Sequence, residues 1–427
     1  MSGIGALVGL CLAIWLIIKK IQPAFALMLG AVVGGLTGGV SLGDTVSLMI
    51  SGVNDVTPAI VRVLAAGVLS GVLVVTGGAD AIANTIVERL GQKRVYLALA
   101  LATMLLTAIG VFIDVAVITI APVALHLGRR LGIPRTSLLL MMIGGGKCGN
   151  IISPNPNTII AAGNFHADLY NVMYANLGAA VVGLLFTVFV IGRMADRAEN
   201  RGALPAEGAW SVSGSLGTDR TELPGFWAAI SGPLISIALL SLRPLCGISI
   251  DPLLALPAGG LAGLLIMRRH SLLLKGLSFG MEKMSSVAIL LIGTGTIAGI
   301  IKASTIKDFI LEGISGLRLG EVFLAPVSAM LMSGATASTT AGATVASASF
   351  ADIILAAGVS GVWGAAMVNS GATVFDHMPH GSFFNATGGV VELDVSRRLR
   401  LIPYESAIGF VLTLGTIATY YAAITLF

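Results

Sequence analysis

The chain has 427 residues, 56% of them hydrophobic and only 11% charged, with a mean hydropathy of +0.94. Soluble proteins carry about 25% charge, so these residues cannot cover themselves with a hydrated surface, and a soluble enzyme or binding module is excluded. The net charge of +4 is no nucleic-acid signal. The cations gather in short connections (Lys19-Lys20, Lys93-Arg94, Arg129-Arg130, Arg268-Arg269, Arg397-Arg398), the pattern that the positive-inside rule produces around membrane helices.

Uncharged runs of 17 or more residues cover 21–43, 63–79, 169–192, 223–242, 284–301, 322–351, 353–375 and 406–427. A span needs roughly 20 apolar residues. The runs predict an all-α polytopic bundle, multi-pass in a membrane, with lipid as its surroundings. Gly3–Ile18 ends at Lys19-Lys20 and lacks the basic start and small-residue cleavage site of a signal peptide; it reads as a retained helix. Cys11, Cys148 and Cys246 lie in apolar stretches without metal-ligand spacing, which points to neither a disulfide framework nor a zinc site.

A polar segment, 193–222, carries nine charges in 30 residues and divides an N-terminal half (1–192) from a C-terminal half (223–427). Each half opens with a predicted helix pair, 3–43 in the first and 223–268 in the second. A duplicated core follows, repeat one over 52–165 and repeat two over 280–390, each with a further helix behind it. Gly52, Gly67, Gly71, Asp80 and Ile82 recur 228 positions later as Gly280, Gly295, Gly299, Asp308 and Ile310. Thr119, Gly146 and Pro154 recur at a separation of 225 as Thr344, Gly371 and Pro379. Duplicated apolar halves with Gly- and Pro-broken segments at matching places mark a secondary transporter. An odd number of crossings per repeat, hence an inverted pair, is the expectation.

Two stretches are too long for one crossing. Residues 95–127 would make a helix of roughly 50 Å, against a hydrocarbon core of about 30 Å. The stretch 322–351 is similar, with the polar run Ser333–Thr344 in its middle. Each is expected to be a helix followed by a re-entrant hairpin, with the tips meeting near the midplane, since non-helical backbone at that depth needs a protein or water-filled environment.

Asp114 lies far inside the first of these stretches. A carboxylate at the bilayer centre costs about 2.5–3.5 kcal/mol, so it reads either as a proton carrier or as a group satisfied by a helix N-terminus or an arginine. Next comes Gly144-Gly-Gly-Lys-Cys-Gly-Asn-Ile-Ile-Ser-Pro-Asn-Pro-Asn-Thr158, expected to break the helix throughout. Exposed N–H groups and amides there suit an anionic or hydroxylated solute, with Lys147 available to a carboxylate. The spacing is not that of a P-loop. Its counterpart, Asn369 through Phe384, brings Asp376, His377 and His380 within five residues; a proton relay is one reading, a satisfied Asp–His pair at a helix end the other. The proton-coupling candidates are thus Asp114, Asp376, His377 and His380. The solute-binding candidates are Lys147, Asn150, Ser153, Asn155, Asn157, Thr158, Thr336, Ser338, Thr339, Thr340 and Asn369. No cofactor is expected beyond a coupling ion, H+ or Na+.

At these segments the chain resembles the gluconate permease (GntP) family of bacterial proton symporters. Ser153-Pro-Asn-Pro-Asn-Thr158 and the downstream Phe165-His-Ala-Asp-Leu169 resemble the family's Pro-Pro-His-Pro-Gly-Pro segment and its His-Ala-Asp-Leu. Phe112-Ile-Asp-Val115 resembles Phe-Phe-Glu-Val, and Gly371 through Phe383 resembles Gly-Ser-Val-x-x-Ser-His-Val-Asn-Asp-Pro-Gly-Phe. Ser333–Thr344 falls where the family has Gly-Ser-Ala-Thr-Val. The chain departs at Asn155 and Asn157, where the family usually has His and Gly, and at Asp376-His377 and His380, where it has Ser-His and Asp. The resemblance therefore implies a small organic anion, a sugar acid or hydroxycarboxylate, more than gluconate itself. It also implies inverted repeats with re-entrant hairpins, a homodimer, and a transport domain moving against a fixed scaffold. A sodium-coupled carboxylate carrier and a cation/proton antiporter are the alternatives. A membrane enzyme would need a nucleophile–base pair or a metal cluster, which the sequence does not offer.

Overall fold

The computed structural model describes residues 1–91, 94–200, 223–248, 250–305, 320–379 and 381–426. Asp308 and Ile310 of the second repeat, residues 201–222 of the polar segment and His380 lie outside them. Every regular element among the described residues is helical. In chain order these are α1 (Gly3–Ile18), α2 (Pro23–Thr37), α3 (Leu42–Val75), α4 (Gly78–Leu90), α5 (Val95–Ala108), α6 (Ile113–Leu131), α7 (Arg135–Asn150) and α8 (Pro156–Asn164). Then follow α9 (Leu169–Ala175), α10 (Leu177–Phe186) and α11 (Gly192–Asn200), joined through a π-helical turn at Thr187–Ile191. The second half holds α12 (Phe226–Cys246), α13 (Pro252–Ile266), α14 (Leu273–Lys302), α15 (Gly320–Thr336), α16 (Thr339–Ala356), α17 (Gly361–Gly371), α18 (Ser382–Val390), α19 (Val395–Arg400) and α20 (Ile402–Leu426). Segments 42–75, 169–198, 270–302, 339–356 and 395–425 are long and apolar enough to cross a membrane. The polar segment expected from 193 begins as helix, in α11.

The centre of the bundle is a crossing of α3 and α14. A Cβ on Gly52 would strike Gly295 and Gly299, one on Gly67 would strike Gly280, and one on Gly71 would strike Gly276 and Gly280. The two helices therefore run antiparallel with their backbones in contact, which only small residues permit. The contacts are also reciprocal. Gly52 and Gly280 are matched by the sequence repeat, as are Gly67 and Gly295; Gly52 packs on Gly295, and Gly67 packs on Gly280. The helix pairs flank this crossing, with Gly9 of α1 on Gly30 and Gly34 of α2, and Gly232 of α12 on Gly259 and Gly263 of α13.

Both over-long stretches are broken, but more simply than expected. Residues 95–127 divide once, between α5 and α6. Gly110, at φ +102°, ends α5, where its N–H donates to Thr107 O and that of Val111 to Leu106 O. At about 1.5 Å per residue, α5 is about 21 Å long and stops short of a crossing. The stretch 322–351 divides between α15 and α16, where Ala337 takes a left-handed φ of +48°.

The Gly-rich run corrects a second expectation. The helix does not break at Gly144-Gly145-Gly146; α7 continues through them to Asn150, and only residues 151–155 are irregular. A Cβ at Gly145 would strike Ala100 O, and one at Gly149 would strike Met104 O. These glycines are packing surface, letting α7 lie backbone-to-backbone on α5. Gly371 does the same for α17 against Pro326 of α15.

Candidate functional site

Ser338 caps α16, its Oγ accepting from the Ala341 N–H at 3.2 Å, and the left-handed Ala337 before it turns the chain. A cap needs a short hydroxyl-bearing residue, and the tip of this turn is accordingly a cluster of Thr336, Ser338, Thr339 and Thr340. The cluster opens into a cavity of about 480 Å³, within the size range of small-molecule sites. Three more helices start at its wall: α6 with Ile113 and Asp114 in its first turn, α2 at Gln22–Ala24, and α18 at Ser382 and Phe383. The first N–H groups of a helix have no partner within it and carry the positive end of its dipole. Four such ends around one volume suit an anion.

Of the residues singled out from sequence, Asp114, Thr336, Ser338, Thr339, Thr340 and Asp376 line this cavity. Asp114 is half-buried and has no hydrogen bond or ion pair among the described residues. Sequence reasoning missed Lys283 and Ser286 of α14 and Ser382 of α18, which line the cavity too. Lys283 borders an uncharged run and looks there like an ordinary helix-end cation.

Lys147, His377 and the asparagines lie behind the wall. Lys147 is 0% exposed; its ammonium donates to Thr373 O at 2.5 Å and to Asp376 Oδ1 at 2.6 Å and lies 3.1 Å from His377 Nδ1. Lys147 thus forms an internal ion pair with Asp376 and does not line the cavity. Asp376 Oδ2 accepts from Thr339 Oγ1 at 2.6 Å, linking the pair to the cavity tip. His377 is buried, with Nε2 at 3.1 Å from both Ile402 O and Ser406 Oγ and Nδ1 at 3.0 Å from Asp376 Oδ1. A carbonyl only accepts, so Nε2 carries a proton toward Ile402. Next to this group Arg398 and Glu405 form a buried ion pair, and the Arg398 guanidinium stacks 4.7 Å over the Phe384 ring. Phe384 is a packing residue, 2% exposed.

A second buried network holds the irregular segment between α7 and α8. Asn155 Nδ2 donates to Asn150 O at 2.8 Å and to Asn150 Oδ1 at 2.6 Å. Asn155 Oδ1 accepts from Thr158 N at 3.1 Å and lies 3.2 Å from Thr158 Oγ1. Asn369 Nδ2 donates to Thr158 Oγ1 at 3.0 Å and to Ile151 O at 3.3 Å. Thr340 Oγ1 donates to Asn157 Oδ1 at 2.6 Å, joining this network to the cavity. Ser153 Oγ and Asn369 Oδ1 are buried without a hydrogen-bond partner among the described residues. Asn176 and Thr416, also not anticipated, brace the segment from outside: Asn176 Nδ2 donates to Ile151 O at 3.2 Å, and Thr416 Oγ1 donates to Asn176 Oδ1 at 2.8 Å.

Comparison with known proteins places these features. The family described as GntP family permease matches residues 1–255. An uncharacterized transporter of Haemophilus influenzae is 51% identical over 413 residues, covering 97% of this chain and 96% of its own. A gluconate permease of Pseudomonas aeruginosa is 30% identical over 178 residues, covering 40% of this chain and 39% of its own. The crystal structure of the YdaH transporter of Alcanivorax borkumensis shares the fold, with a TM-score of 0.60 at 13% identity over 90% of this chain and 89% of that one. The chain belongs to the GntP permease family and is a multi-pass membrane transporter.

Proposed function

We propose that the protein is a proton-coupled symporter of a small organic anion, a sugar acid or hydroxycarboxylate, in the bacterial cytoplasmic membrane. The observation that carries this reading is the cavity where the N-termini of α2, α6, α16 and α18 converge beside Asp114, a carboxylate with no ion-pair partner among the described residues. The N-termini favour the solute's charge. The hydroxyls of Thr336, Ser338 and Thr340 suit its hydroxyl groups. Proton binding to Asp114 removes the charge that would repel the anion, so proton and solute enter together. The relative named a gluconate permease supports the substrate class.

In the same reading the two repeats are inverted. Reciprocal contact between repeat-matched glycines is what a twofold relation demands, and the antiparallel crossing of α3 and α14 sets that axis across the helices. The hairpin tips and broken helices then form the part that moves against α1–α3 and α12–α14. Transport, with no chemical conversion of the solute, is the whole of the activity.

Sodium coupling is the second reading, favoured by Ser153 Oγ and Asn369 Oδ1, two buried oxygens without partners among the described residues that an oxygen-seeking cation can use. One assay separates the two: uptake of labelled gluconate, glycerate, 3-hydroxybutyrate, lactate and citrate into proteoliposomes under an imposed proton or sodium gradient. Uptake driven by the proton gradient alone is expected. Uptake driven only by sodium supports the second reading, and proton movement against sodium with no acid uptake removes both.

A further inference from the structure

We propose that Lys283 is the residue that holds the carboxylate of the solute, an inference that rests on the organic-anion reading and deepens it. On α14, Gly280, Met284, Val287 and Leu291 are buried, with Gly280 and Met284 against Gly67 of α3. Residues three and four apart share a helix face, so the neighbouring stripe, Lys283, Ser286 and Leu290, is turned onto the cavity, whose wall all three form.

Lys283 differs from the other lysine at this site. Lys147 is fully buried and donates to Asp376 and Thr373. Lys283 is half-buried, has no hydrogen bond or ion pair among the described residues, and rests 5.8 Å over the Phe279 ring. Its counterpart in the first repeat, Asp55, is paired with Lys302 at 3.1 Å, so the scaffold neutralises one repeat's charge and leaves the other's facing the cavity. The carboxylates at the cavity wall do not satisfy it: Asp376 belongs to Lys147, and Asp114 is not within ion-pair distance. An ammonium with three free donors, across a cavity from a rim of hydroxyls, fixes how a hydroxy acid lies. Its carboxylate meets α14, and its hydroxyl-bearing tail meets the tip of α16. A neutral polyol of the same length lacks the group that Lys283 takes and is excluded by the same contact.

The test compares wild type with Lys283→Gln, Lys283→Arg and Lys283→His in proteoliposomes, using whichever of the five labelled acids the wild type takes up. Loss of a charge-assisted contact raises KM about tenfold or more in Lys283→Gln, with Vmax nearly unchanged, because the contact is made on binding. Lys283→Arg keeps most of the affinity. Lys283→His, measured against wild type at each pH, approaches wild type where the imidazole is charged and Lys283→Gln where it is neutral. An unchanged KM in Lys283→Gln overturns the inference and leaves the proposed function standing. If Lys283→Gln does not fold, Lys283→His carries the test in one folded protein, and a KM ratio to wild type that is the same at both pH values overturns it. A wild type that takes up none of the acids removes the organic-anion reading and this inference with it.

Discussion

The Lys147 ammonium lies 2.6 Å from the Asp376 carboxylate, across 229 positions of sequence, and the two side chains are 0% and 3% exposed. The pair joins the C-terminal end of α7 to the irregular segment after α17. A buried ion pair adds little net stability over an apolar replacement, but removing one partner leaves an uncompensated charge. Asp376→Asn or Lys147→Met alone should therefore destabilise the protein by about 3–5 kcal/mol, while the double replacement recovers much of that loss. Thermal unfolding in detergent across the double-mutant cycle checks this, and simple additivity of the two single losses would count against the pair acting as a unit.

Thr339 is the link between that pair and the cavity, through its 2.6 Å hydrogen bond to Asp376 Oδ2. A hydrogen bond to a charged group contributes about 1.5–3 kcal/mol, and a neutral one about 1. Thr339→Val is thus expected to lower stability more than Thr340→Val, which breaks a neutral bond to Asn157. Thr339→Ser keeps the donor and should stay near wild type. Equal losses in the two valine variants would show that Asp376 does not depend on the tip.

Much of this arrangement was legible in the sequence. The uncharged runs marked the helices, and the over-long stretches located both breaks. Asp114 stood out because a carboxylate that deep in an apolar run has few bland explanations. Gly144–Gly146 misled because glycine weakens a helix in water, whereas here the missing Cβ atoms let α7 touch Thr187 at Gly144, α5 at Gly145 and Ile113 of α6 at Gly146. The Lys147–Asp376 pair was hidden because no local pattern joins residues so far apart in the chain. Lys283 was hidden for a different reason: its role depends on which face of α14 packs on α3, and the apolar pattern of a membrane helix does not mark that face.

The α3–α14 crossing makes a separate prediction. Gly52→Ala and Gly280→Ala, matched by the repeat, each push a methyl group into the facing backbone. Overpacking of this kind costs about 1–3 kcal/mol, and the two losses should be similar if the crossing is symmetric. Gly43→Ala, with nothing within 4 Å of the added carbon, is the control and should be neutral or slightly stabilising. Unfolding midpoints of the three variants decide it: a tolerated Gly52→Ala beside a damaging Gly280→Ala would mean that the reciprocal contact is not a true twofold.

In the proposed proton-symport reading, coupling turns on Asp114. Its carboxylate sits in the first turn of α6 and lines the cavity, where the proposed anion would meet it. Asp114→Asn fixes the group in a neutral form, so the anion still enters but no proton need accompany it. Exchange of labelled for unlabelled solute should survive in the variant, while accumulation driven by a proton gradient should fall to the level of an ungated leak. If Asp114 serves only as a helix-dipole partner, worth about 0.3–1 kcal/mol, the variant loses a little stability and accumulates solute as well as wild type does. Measuring exchange and gradient-driven uptake in the same vesicles at several pH values separates these outcomes, because a folding defect lowers both and a coupling defect lowers only the second.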